Sequence, residues 1–97
     1  MPYIQQPMRD ILDPFVHELV SIVSRIDALH PESRPGDLNY IITTLIIGIL
    51  GNEPHYKDYN EIIGVLECVK SELYRRQVSG YEDKKAIENG DVYKEGD

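Results

Sequence analysis

Residues 38–50, LNYIITTLIIGIL, constrain this chain more than any other stretch. Asp37 precedes them as a helix cap, and Gly51 follows where a left-handed residue ends a helix. Threaded on a helix, Leu38, Ile41, Ile42, Leu45, Ile46, Ile47, Ile49 and Leu50 cover most of the circumference. A helix apolar nearly all round has to be buried on most sides. The β-branched residues also suit a buried strand over Tyr40–Leu50, but the cap and the terminal glycine favour helix. A chain of 97 residues forms one domain near the lower end of the usual range and has little else to lay over such a helix. The sequence therefore predicts that copies of the chain cover one another.

The other elements support an all-α reading. Residues 1–9 hold two prolines and the short apolar piece Tyr3-Ile4, which reads as an extended arm. Asp13-Pro14 is a good helix start, since Asp accepts from free amides and Pro fits the first turn. Phe15, Val16, Leu19, Val20, Ile22, Val23 and Ile26 then recur at helical spacing, with Ile11 and Leu12 available for one earlier turn. His30-Pro31 stops this helix near Leu29. A third helix follows the capping-box spacing of Asp58 and Glu61, buries Ile62, Ile63, Val65, Leu66, Val69, Leu73 and Tyr74, and runs to about Gln77. Gly80 breaks or kinks it, Tyr81–Glu88 forms a short helical piece, and Asn89-Gly90 turns the chain into an 89–97 tail. The expected architecture is three main helices plus a short C-terminal helical or extended segment, in a homo-oligomeric bundle. Tyr3-Ile4 and Val92-Tyr93 are candidates for a minimal β pairing of the two termini.

Charge limits the partners. Seventeen acidic against ten basic residues give a net charge of −7. Nucleic acid and anionic membrane both ask for a basic footprint, so neither is an expected partner. The longest apolar run, Leu45–Leu50, falls far short of the ~20 residues that span a bilayer. A single cysteine, Cys68, and a start without a signal-peptide pattern place the expected location in the cytoplasm.

The polar residues are densest between 58 and 93. Glu67 and Lys70 lie three apart, and Glu72 reaches Arg75 and Arg76 at three and four. Such pairs stabilise a helix by about 0.2–0.5 kcal/mol each, which is the bland account of these charges. The functional account gathers Lys70, Arg75 and Arg76 into an anion site, with Lys84 beside them and Tyr74 and Tyr81 stacking on a base or ring. Asn39 and Tyr40, at the start of the second helix, extend the candidate set, because free amides there attract anions. Asp37 already takes some of those amides.

Metal and nucleophilic chemistry find less support. Helical nucleotide pyrophosphatases clamp a metal with carboxylates one turn apart, and here Lys70 stands where the second acid belongs after Glu67. His17, His30 and His55 sit in separate elements with no zinc spacing. No metal ligand, catalytic residue or cofactor is therefore expected. Cys68 reads as a small packed hydrophobe. Gly64, Cys68 and Ser71 make a small-residue stripe, and with Gly48 they suggest close helix crossings, within one chain or between two.

These motifs also resemble a small uncharacterised family found in tailed bacteriophages and in some bacterial and archaeal genomes. Its pattern runs PYI, PGxLNYxIT, GVLExxKxExYRR, YEDxK and ENGDVY. Those stretches stand here at Pro2–Ile4, Pro35–Thr43, Gly64–Arg76, Tyr81–Lys84 and Glu88–Tyr93, with a departure at Ser79-Gly80 where the pattern has Ala-Pro. The resemblance implies no established activity. It implies a phage-like setting in a host cytoplasm, where small helical oligomers act as antagonists of host defence. The leading expectation is thus a non-enzymatic homo-oligomer that sequesters a small anionic, nucleotide-like ligand. The alternative is an interaction or structural module with no small ligand, and the third is a metal-dependent nucleotide hydrolase.

Overall fold

A computed structural model describes residues 2–93, and they are helical almost throughout, with no strand among them. Helix α1 spans Gln6–Leu29, α2 Arg34–Leu50, α3 Tyr56–Leu73 and α4 Ser79–Asn89. A 3₁₀ turn at Pro31–Ser33 joins α1 to α2, and a π-helical turn at Tyr74–Val78 joins α3 to α4 without a break. Three main helices and a C-terminal helical piece are therefore present. Tyr3-Ile4 lies in coil and Val92-Tyr93 in a bend, so neither forms a strand. The last four residues of the expected 89–97 tail lie outside the described residues.

Helix α1 is longer than its local signals suggest. It begins at Gln6, leaving only residues 2–5 of the expected arm extended, and Pro7 occupies the first turn. Pro14 sits inside the helix. It removes one amide donor there, but Met8, Ile11 and Leu12 continue the apolar periodicity across it, and the helix follows that periodicity. The C-terminal stop falls where expected: the His30 amide donates to the Ile26 carbonyl at 2.7 Å, and Pro31 begins the next turn.

The caps also differ from their sequence signals. Helix α2 starts three residues before the expected cap, with Pro35 in its first turn. Asp37 is already helical, and its Oδ2 accepts from the Ser33 hydroxyl at 2.7 Å. Gly51 closes the helix at φ 74°, its amide donating to the Ile47 carbonyl. In α3, Asp58 does not cap the helix. Its Oδ2 reaches back to the His55 amide at 2.8 Å, so Asp58 is the third-position acid of a box that begins three residues earlier than the spacing with Glu61 suggests.

The chain divides into two compact units, residues 2–59 and 60–93 of those described. In the first, the guanidinium of Arg34 holds Asp27 at 2.6 Å across the α1–α2 turn. An open, largely apolar hollow of about 230 Å³ lies between the two helices, lined by Val16, Leu19, Val20, Val23 and Ser24 of α1 and Leu38 and Ile41 of α2. In the second, the π turn and α4 continue the line of α3. Neither unit has a buried side chain among the described residues, and their large apolar groups stay open to solvent. The third helix thus leaves open the face expected to be buried: Ile63, Val65, Leu66, Val69, Leu73 and Tyr74 are exposed and Ile62 only half-buried. Cys68, read above as packed, is exposed. Among the described residues, a Cβ added at Gly48 or Gly64 would meet nothing within 4 Å, so no close crossing inside its own unit accounts for either glycine.

Candidate functional site

The candidate cations sit on α3, the π turn and α4, and most of their neighbours are acidic residues of the same continuous helix. Lys70 Nζ lies 3.7 Å from Glu67 Oε1, both side chains well exposed. Arg75 places one terminal nitrogen between the two oxygens of Glu72, at 3.1 and 3.0 Å. Lys85 Nζ lies 3.2 Å from Glu88 Oε2 and 5.7 Å from the centre of the Tyr81 ring. Arg76 and Lys84 make no ion pair among the described residues. Lys70 and Arg75 stand five residues apart, which turns them roughly 140° from each other around a helix. The helix therefore brings Lys70 and Tyr74 to one side and directs Arg75 to another.

The π turn produces the closest contact in this region. A π turn takes in one residue more than an α turn, so it shifts the phase of everything after it. Eight residues normally carry a side chain about 80° past its starting face. With one residue absorbed, Glu82 returns to nearly the face of Tyr74, two turns along. The Tyr74 hydroxyl donates to Glu82 Oε1 at 2.6 Å. That hydrogen bond, together with the negative charge of Glu82, raises the Tyr74 pKa above the ordinary phenol value. Spacing rules written for an unbroken α-helix do not pair these residues. A long helix with Gly80 near its junction was the only sequence signal that its register changes.

Below this contact, a surface hollow of about 410 Å³ is bounded by Glu82, Asp83, Lys85, Asn89, Asp91 and Tyr93 among others. Its charged lining is mainly acidic, and Lys70, Arg75, Arg76, Tyr81 and Lys84 lie outside it. Asn39 and Tyr40 belong to the other unit. There they line an open hollow of about 540 Å³ with Pro35, Gly36 and Thr43, and the Thr43 hydroxyl donates to Asn39 Oδ1 at 3.0 Å. Among the described residues, no three His, Cys, Asp or Glu side chains come together as a metal-binding group, and no helix is long and apolar enough to cross a membrane.

The arrangement is a charged helix surface in which most cations already have an anion, and in which Arg76 and Lys84 do not.

The chain belongs to the family described as a domain of unknown function, DUF6899, whose profile matches residues 1–92. No curated protein and no solved structure matches it.

Proposed function

We propose that this chain is a non-enzymatic binding protein that assembles from copies of itself. One observation supports this above others: among the described residues two units, each under ~60 residues, hold no buried side chain, while α2 stays apolar nearly all round. Such units gain a core only from outside, and a small protein commonly gains it by oligomerising. The assembled form then binds a small anionic, nucleotide-like ligand through Arg76 and Lys84, with Lys70 and Arg75 recruited from their acidic neighbours and Tyr74 or Tyr81 offering a ring face. Sequestration needs no turnover. The proposed setting, a phage-infected host cytoplasm, rests on the motif resemblance.

A second reading, a protein–protein interaction module without small ligand, is favoured by the pairing of Lys70 with Glu67 and Arg75 with Glu72. Both readings are tested by light scattering followed by thermal melting with a panel of mono-, di- and cyclic nucleotides. A particle well above 11.1 kDa is expected. A nucleotide that raises the melting temperature in the native chain but not in Arg76→Ala or Lys84→Ala supports sequestration. If no nucleotide shifts the melt, the interaction module takes its place; a folded single-chain particle ends the assembly reading.

A further inference from the structure

Helix α1 carries an apolar residue at alternating steps of four and three all the way from Met8 to Leu29. That spacing is the a/d heptad of helices that pack side by side with their knobs in one another's holes. Leu12, Phe15, Leu19, Ile22, Ile26 and Leu29 take the a and d positions in turn over about 26 Å of helix. All six are open to solvent, from 36% at Ile26 to 77% at Leu29. Helix α2 reaches only one shoulder of the stripe. The hollow between the two helices takes in Val16, Val20 and Val23 but just one seam residue, Leu19.

We infer that α1 of a second copy covers this seam, running antiparallel, with Glu18 of each chain beside Arg25 of the other. The inference rests on the self-assembly proposed above and specifies the surface and direction that achieve it. Charge chooses the direction. Glu18 and Arg25 both occupy g positions, one heptad apart, on the edge of the seam. In a parallel pair a g residue faces an e residue of the partner, which sets Glu18 against Val23 and Arg25 against His30, with nothing complementary. In an antiparallel pair g faces g and e faces e. With a layers on d layers, Leu12 meets the partner's Leu29, Phe15 its Ile26 and Leu19 its Ile22. Glu18 then falls beside the partner's Arg25, and the two-fold axis repeats the pair. On the other edge Val16 comes near the partner's Val23, apolar against apolar.

Among the described residues nothing accounts for these two charges. Neither makes an ion pair among the described residues. Their helical neighbours three and four positions away are Pro14, Phe15, Ser21 and Ile22 for Glu18, and Ser21, Ile22, Ala28 and Leu29 for Arg25, all uncharged. Among the described residues their one polar side-chain contact is Arg25 Nε donating to the Ser21 carbonyl at 3.4 Å. Pro14 and His17, at c and f, stand on the opposite side of the helix and leave the seam clear.

The test is a charge-swap set on the full chain, read as a dissociation constant by sedimentation equilibrium. Glu18→Arg and Arg25→Glu each set like charges together twice in their own homodimer, so each is expected to weaken self-association by roughly tenfold or more. Mixed one to one, the two variants place Arg beside Glu at both sites and recover the native affinity, as does the double variant E18R/R25E. If either single variant does not fold alone, the mixture and the double variant still decide. Native assembly that neither swap weakens, or a mixture that does not recover, overturns the antiparallel α1 pairing and leaves self-assembly standing. A native chain that is a folded particle of about 11.1 kDa at every concentration overturns both, its seam then being covered by its own remaining helices. So does a chain that folds only with a different protein.

Discussion

Tyr74 shows how one residue's chemistry depends on a change of helical register. Its hydroxyl reaches Glu82 because the Tyr74–Val78 turn absorbs a residue. The raised pKa has a definite sign: the neutral phenol is the form the folded chain holds. Its contribution is fully present below the ordinary phenol pKa near 10 and is lost as pH rises through the higher folded value. An alkaline titration followed by tyrosinate absorbance should therefore contain a late component among the seven tyrosines. Tyr74→Phe should remove that component, and Glu82→Gln should move it towards the bulk; a late component that survives both changes would assign it to another residue. The contact lies at the surface, where solvent screens it, so its effect is expected in the titration more than in stability. The candidate cations were legible as residue types, and the i,i+3 partners of Lys70 and Arg75 were legible as well. What could not be read was Glu82, since a pair eight apart belongs together only across a widened turn.

Among the elements, the ends of the helices show where local signals yield to pattern. The C-terminal stops were readable because they are chemically strict: Pro31 after His30 ends α1, and Gly51 takes a φ of 74° that other residues rarely adopt. The starts were less so. Asp13-Pro14 has the composition of a helix start, yet the helix passes through it from Gln6, since a lost hydrogen bond at Pro14 leaves the apolar stripe intact. Likewise Asp58 has the chemistry of a cap but serves three positions in, because the same carboxylate can accept from an amide on either side of it. The cost of Pro14 can be measured. Pro14→Ala restores an amide donor to the Asp10 carbonyl and relieves the ring's clash with it. Calorimetric melting should show a gain of about 1–3 kcal/mol, the penalty of an interior proline less the entropy it removes from the unfolded chain. A loss of stability would show that the helix end at Gln6 depends on the proline.

For the molecule as a whole, the informative fact is the absence of a buried side chain in either unit among the described residues. The all-round apolarity of residues 38–50 marked α2 as a helix one chain can hardly cover, while the third-helix face read as buried lies open. Phe15, Leu19, Ile22 and Ile26 of the α1 seam were already legible as helical spacing, and the start at Gln6 extends the stripe to Met8. If the core is completed between copies, the melting temperature should rise by several degrees per tenfold increase in protein concentration; equal melting temperatures across a hundredfold range would exclude it. The same feature bears on how long a newly made chain survives. If copies do assemble, a lone copy would open locally at lower free-energy cost than an assembled one and would be the easier target for proteases. Its level would then respond to synthesis more steeply than in proportion: scarce transcripts yield almost nothing lasting, and abundant ones yield a durable pool. A protein built in this way carries its own threshold of expression.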